Sequence, residues 1–449
     1  MTLQSKLNFN IFLFPLAIFI SMTLYLTLYS KNHIQWMIIT LLIIIPLLIK
    51  PKYLIVSIFV FLIVILVHLL TMPHSIDGYV KTKVRVIKNT SMGPIVKINR
   101  ENIFIKTHEK YNLGDIFYVS GRTTIIKNTS DFDIVTYFKS LNTINVILRP
   151  NITLLEETKD MRIHFQNYIL EGPSSYEKTT PLLLLGIKTH DSKMIYDIAM
   201  HMNIVHLFVI SGFHISLFFI IINKILSLFK VNKKISLWIA LIPIIIYLFF
   251  LNFPISASRA TLLVLFSVIN KTFFKSRFKS IHILSFVMAL MFIVKPRSVY
   301  SLSFIFTFIA TFVVITINAI KFQKEWVKWI SIIFFAFLSN IIIVLYENHY
   351  FSIFGLLYGT LLSPIFVLMY SLTLFLFPFK DIMEYIDIVF IYLIKIFNNT
   401  NILINVPKFS INWVFLSYGF ILSSLIILVT WNLYTDKRVS LSIKKSIEL

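Results

Sequence analysis

No cysteine occurs anywhere in the 449 residues. That absence excludes thiol catalysis, iron-sulfur clusters and disulfides stapling outer loops, and it identifies no compartment. Acidic residues are scarce: 20 Asp and Glu stand against 42 Lys and Arg, for a formal net charge of +22. Nothing resembles a phosphate-binding loop, so no nucleotide is expected as a cofactor. No small-residue cleavage site follows the first apolar run, which is therefore read as a retained span and not as a signal peptide.

What the chain has in excess is apolar length. It is 57% hydrophobic with a mean hydropathy of +0.82, where soluble globular chains sit nearer roughly 45 to 50% apolar. The sequence therefore predicts a polytopic α-helical membrane protein. Crossing a hydrocarbon core takes about 17 to 25 apolar residues, and twelve apolar runs are candidates. They lie at 10–29, 34–49, 53–72, 204–229, 235–251, 257–274, 281–294, 299–320, 327–346, 352–378, 383–398 and 411–433. The run at 281–294 is short. The run at 383–398 contains Glu384, Asp387 and Lys395, so an interfacial position suits it equally well.

Basic residues orient the runs. With the N-terminus inside, eighteen Lys and Arg fall in cytoplasmic segments, among them Lys50, Lys52, Lys233, Lys234, Lys275 and Lys445. The short outer loops hold only four, Lys31, Lys295, Arg297 and Lys408. This bias puts both termini in the cytoplasm and the polar stretch from His74 to about His201 outside. The expected organisation is N-terminal helices over 1–73, an outer domain over 74–150, a connecting helical segment over 151–203, a second membrane domain over 204–433 and a basic tail over 434–449.

The outer domain reads as β structure. "GYVKTKVRVI" alternates Val80, Thr82, Val84 and Val86 with Tyr79, Lys81, Lys83 and Arg85, a period-two strand with one basic face. "PIVKIN", "NIFIKTH" and "IFYVSGRTTII" repeat the texture between turn residues. A Gly-Asp turn leading into a strand bent at a glycine, in "LGDIFYVSGR", suits a small all-β OB-like barrel. Lys81, Lys83, Arg85, Lys97, Arg100, Lys106 and Arg122 are candidates for a groove that binds a single nucleic-acid strand. The alternative is a solvated face on a spacer domain.

Ionisable residues inside a span are costly and tend to face a bundle interior or water. His206, His214 and Arg259 are the clear cases. Arg259, in "NFPISASRATLLVLF", is either an anchor snorkelling to the outer interface or a fork of donors for phosphate. In "HLFVISGFHISLFFIII", Ser211 and His214 share a helical face, while His206 lies five residues before Ser211, about 500° of rotation away. Gly212 and Ser216 form a small-xxx-small pair for close packing. A serine protease dyad is disfavoured, because same-helix neighbours do not meet well and His282 opens a cytoplasmic helix. Zinc binding by His206 and His214 lacks a third ligand.

With this layout, "LLLLGIKTHDSKMIYDIAMHMNIVHLFVISGFHISL" resembles the core signature of the ComEC family of competence membrane channels. Gly186, His206, Leu207, Ser211, Gly212 and His214 match it in order. Phe132, Asp133 and Tyr137 fit a segment closing the outer domain. Ser256, Arg259 and Ala260 fit a Ser-x-x-Arg-Ala element, Ser301 to Phe306 a later Ser-Phe element, and Pro364 a late-helix proline. Departures are Ser301 in place of glutamine, Asn252 and Val299 in place of glycines, and Gly359 in place of asparagine.

The resemblance implies passage of single-stranded DNA across the bacterial cytoplasmic membrane, with His206, Ser211, Gly212, His214, Ser256, Arg259, Ser301 and Ser303 along the path. It also implies a DNA receptor outside, a separate cytoplasmic ATPase and a separate nuclease as partners beside membrane lipid. The metal motif of the family's C-terminal hydrolase domain has no counterpart here, so the expectation is a channel with no cofactor and no enzymatic activity. Two alternatives remain, a small-molecule permease and a family relative that retains the fold without transport.

Overall fold

The computed structural model describes residues 10–29, 34, 36, 37, 40, 41, 52–90, 92–99, 101–107, 109, 111–128, 134–208, 210, 212–319, 322, 324–347 and 350–407. The chain is a membrane protein carrying a small OB-like β-barrel. Helices α1 (Asn10–Tyr29) and α2 (Lys52–Leu70) lead into strands β1 (Gly78–Thr90), β2 (Gly93–Ile98), β3 (Glu101–Lys106) and β4 (Ile116–Ile125). Helix α3 (Ile134–Ser140) precedes β5 (Thr143–Leu148) and β6 (Asn151–Glu156).

The six strands run in the order β1-β2-β3-β5-β4-β6, and β1 also pairs with β4, which closes a five-stranded barrel and leaves β6 outside it. A register shift between Val86 and Lys88 lets one long strand pair with β4 along its first part and with β2 along its last. Alternation does what the sequence pattern predicts: Val84, Val86, Val96, Ile103, Ile105, Phe117, Val119 and Ile147 fill the interior. Two glycines are required by geometry. Gly114 has φ +91°, and a β-carbon there would lie 2.5 Å from Thr158 Oγ1. At Gly121 a β-carbon would lie 2.6 Å from Ile147 Cγ2, inside the barrel. Between them Asp115 holds the turn, its carboxylate accepting from the backbone N–H of Asn112 at 2.6 Å and of Thr158 at 2.9 Å.

The barrel is tied to the helices. Phe138 of α3 packs on Phe104 and Val146, and Lys139 donates to the Tyr29 carbonyl at 2.8 Å. Arg297 donates to the Thr71 carbonyl at 2.7 Å and to Asn142 Oδ1, joining the end of α2 to the turn before β5.

The connecting segment supplies α4 (Met161–Leu170), α5 (Ser174–Leu185) and α6 (Lys193–His201). Asp160 caps α4, accepting from the Arg162 N–H at 2.9 Å, and its carboxyl sits below the ordinary carboxylate range because the Arg162 side chain hydrogen-bonds it. Next come α7 (Val205–Phe208), α8 (Gly212–Leu228), α9 (Lys233–Ile239), α10 (Leu241–Phe250), α11 (Ile255–Thr272) and α12 (Ser280–Val294). A 3-10 turn (Pro296–Tyr300) leads to α13 (Leu302–Ala319), α14 (Glu325–Glu347), α15 (Gly355–Leu376) and α16 (Lys380–Asn399). Strands β7 (Tyr350–Ser352) and β8 (Leu403–Asn405) pair across the foot of α15 and α16.

Among the described residues three helices are long and apolar enough to cross a bilayer, Lys52–Leu70, Lys233–Phe250 and Gly355–Leu376. Ala17–Tyr29, Gly212–Leu228, Ser280–Val294 and Thr307–Asn318 are shorter apolar helices. Most of the run at 34–49, and all of 411–433 and the 434–449 tail, lie outside the described residues.

One expected span is corrected. The run at 204–229 does not form a single helix: α7 ends at Phe208, Ile210 is non-helical, and α8 begins at Gly212. Hydropathy registers apolar length and is blind to such a break. The interruption survives because it is buried in protein and its freed Ile210 carbonyl accepts from Ser256 Oγ at 2.7 Å, the condition under which irregular backbone is tolerated at membrane depth.

Candidate functional site

The broken helix places its residues on two sides of α8. Gly212 faces α11: a β-carbon there would lie 2.7 Å from Arg259 Nη2 and 3.5 Å from Ala260 Cβ. His214, two residues on and roughly 200° round the helix, faces α15 and meets Tyr370 edge to face with ring centroids 4.4 Å apart. His206 is on the short α7. Ser211 lies outside the described residues.

Arg259 is the centre of the arrangement. Helix α11 runs between two packed cores, with Ala257 and Ala260 against the cluster around Ile210, Ile215 and Ile244 and Leu262, Leu263 and Phe266 against the cluster around Phe292, Phe304 and Phe308. The guanidinium lies at that seam, and Arg259 is 6% exposed. Nη1 donates to the Thr307 carbonyl and to Thr311 Oγ1 on α13, and the Phe308 ring centroid is 5.9 Å from Cζ. Nε is buried without a hydrogen-bond partner. Among the described residues no carboxylate pairs with this cation.

Other sequence-stated residues fall around this centre. Ser256, one turn before Arg259, spends its hydroxyl on Ile210. Ser301 precedes the first turn of α13, its carbonyl accepting from the Phe304 N–H at 3.0 Å, and Ser303 is exposed on that turn. Gly186 ends α5 at φ +65°, and Ile210 packs 3.4 Å from where its β-carbon would be. Gly186, Ile210, Gly212, Ser256 and Arg259 therefore form one contiguous group, from which His206, His214, Ser301 and Ser303 stand apart. Sequence reading missed Thr307, Thr311 and Tyr370. The one signal available was a pair of threonines four apart on an apolar helix, a spacing that puts both on one face.

The barrel carries a second group. Tyr79, Lys81, Lys83 and Arg85 are all exposed on one face of β1. Across the ladder they oppose Arg122, Ser120, Tyr118 and Ile116 of β4. Four cations thus surround two tyrosines on one surface. Lys83 is engaged with Glu156 of β6 at 3.1 Å. Lys106 ends β3 beside Leu148 of β5, away from the β1–β4 ladder.

Residues 183–438, more than half of the chain and the stretch containing the broken helix and Arg259, match the profile of the competence protein family. The chain belongs to the competence protein family. Relatives of this family member include the uncharacterized protein MG316 of Mycoplasma genitalium, 27% identical over 293 residues, covering 63% of this chain and 73% of that protein. A homologue of MG316 in Mycoplasma pneumoniae is 28% identical over 242 residues, covering 52% of this chain and 62% of that protein. No solved structure matches.

Proposed function

We propose that this competence family member is a channel through which single-stranded DNA crosses the cytoplasmic membrane, by way of twelve spans with both termini inside. One observation carries the reading. A buried arginine stands at a helix break with hydroxyl and carbonyl partners and, among the described residues, no acidic partner to compensate its charge. An anion supplied from outside the protein would complete it, and a guanidinium fork suits phosphate. The basic face of β1 and β4, with Tyr79 and Tyr118 as stacking surfaces, would receive the strand before it reaches the membrane. The barrel's attachment through Lys139 and Arg297 would hold that face in a fixed orientation over the helices. A receptor outside, an ATPase inside and a separate nuclease complete the proposed machinery, and the chain itself performs no chemistry.

The test is uptake of labelled DNA by cells deleted for this chain. Complementation by the chain at native level restores uptake on this reading. Normal membrane insertion without restored uptake, in cells whose other competence functions are intact, overturns it.

A further inference from the structure

Helix α16 presents Met383, Asp387, Phe390, Ile391 and Ile394 to the protein and Tyr385, Val389 and Tyr392 outward. Four of the five buried residues are apolar. Asp387 is 0% exposed. Its Oδ2 accepts from Thr180 Oγ1 of α5 at 2.8 Å, and its Oδ1 is buried with no hydrogen-bond partner. The neighbouring Thr179 hydroxyl donates to the Ser175 carbonyl at 3.2 Å.

No described Lys, Arg or His pairs with this carboxyl. The titratable groups turned toward it are Tyr176 of α5 and Glu384 one turn earlier on α16. On the other packed elements, Asp197 of α6 reaches to Lys188 and His201 meets Tyr350. On α15, Tyr358 bonds Thr400 and Tyr370 meets His214. Lys178 of α5 is turned to the Ser174 hydroxyl at 2.9 Å, and among the described residues the one charge that bears on this carboxyl is that of Glu384.

An ionised carboxylate in such a place, with one oxygen unbonded and no counter-charge, is strongly disfavoured. Two occupants relieve it, a metal cation or a proton. A metal cation needs a shell of several oxygens, and here the two α5 hydroxyls beside the carboxyl, Thr180 and Thr179, act as donors. One proton suffices to neutralise the group. In the same turn of α5, Pro181 has no N–H to give the Glu177 carbonyl four residues earlier, so one helical hydrogen bond is missing there.

We propose that Asp387 is a proton-binding site at the α5–α16 interface, reversibly exchanging a proton with water as carboxylic acid and carboxylate. The Thr180 hydrogen bond ties its charge state to α5. Helix α5 ends at Gly186 against Ile210, whose carbonyl is held by Ser256 on the helix that carries Arg259. Proton binding at Asp387 thus acts on the helix break through two successive contacts.

The test needs no DNA, so it stands apart from the transport reading. The full chain in membrane vesicles is treated with dicyclohexylcarbodiimide, which adds protonated carboxyls in apolar surroundings across its C=N bond, and labelled peptides are mapped by mass. Between about pH 9 and pH 5, labelling of Asp387 rises as pH falls, sodium at fixed pH leaves it unchanged, and Asp387→Asn, inserted at wild-type level, loses that peptide's label. Absence of label across the range, label independent of pH, or protection by sodium overturns the proposal. These readouts require only the wild-type chain, so they survive a variant that fails to insert.

Discussion

Arg259 Nη2 occupies the space that a β-carbon on residue 212 would need, 2.7 Å from that position. Glycine at 212 and arginine at 259 are therefore one structural unit. Because the same guanidinium is fixed on its other side by the Thr307 carbonyl and Thr311 Oγ1, it has no direction in which to retreat without losing bonds.

Gly212→Ala should therefore destabilise the helix bundle by about 1 to 3 kcal/mol, the usual cost of overpacking. The contact is specific, so the cost should shrink in an Arg259→Ala background, where the space is free. Thermal unfolding of the four chains in detergent gives this cycle. Equal cost in both backgrounds would show that the two residues do not share the space.

Arg259→Lys separates the two roles open to this residue. An anchor needs only length and charge, and lysine supplies both. A phosphate contact uses a planar, weakly hydrated fork that lysine cannot copy. Loss of one charged hydrogen bond costs about 1.5 to 3 kcal/mol, roughly ten- to hundredfold in uptake if that step limits transport. DNA uptake normalised to inserted protein should fall by that factor, and normal uptake in both Arg259→Lys and Arg259→Gln removes the arginine from the path.

On the barrel, the face formed by β1 and β4 should bind single-stranded DNA with an affinity that falls as salt rises, through counterion release. Removing Tyr118 should weaken binding by about 1 to 3 kcal/mol as a lost stacking surface. Lys81→Ala should cost more than Lys106→Ala, since Lys106 lies away from this ladder. Glu156→Gln should strengthen binding by freeing Lys83. Fluorescence anisotropy on the full chain in nanodiscs measures all four, and equal effects of Lys81 and Lys106 would return the surface to a solvated face.

Orientation is accessible because the chain has no native cysteine. A single cysteine replacing exposed Lys127, just after β4, should react with an impermeant thiol reagent applied to intact cells, and one replacing exposed Lys275 should react only after lysis. The reverse pattern inverts the proposed topology.

Local pattern alone determined strands β1 to β4, the Gly114–Asp115 turn and the apolar helices, because each depends on spacing within a few residues: period two for the barrel interior, a positive φ at one glycine, unbroken apolar length for a helix. The charged face of β1 was legible for the same reason, as was the singularity of Arg259 in an apolar run. Tertiary structure decided everything that joins distant residues. Nothing near residue 210 announces that its carbonyl belongs to Ser256, so the break between α7 and α8 was invisible to hydropathy. Barrel closure put Arg122 opposite Tyr79 and sent Lys106 elsewhere, although all three sit in strands of the same texture. Asp387 read as a mark of an interfacial helix, and only the approach of Thr180, over two hundred residues earlier, made it a buried carboxyl. Spacing fixes which face of an element is apolar, while the partner of that face is set by packing between elements, where the energy of a buried charge or an absent β-carbon is decided.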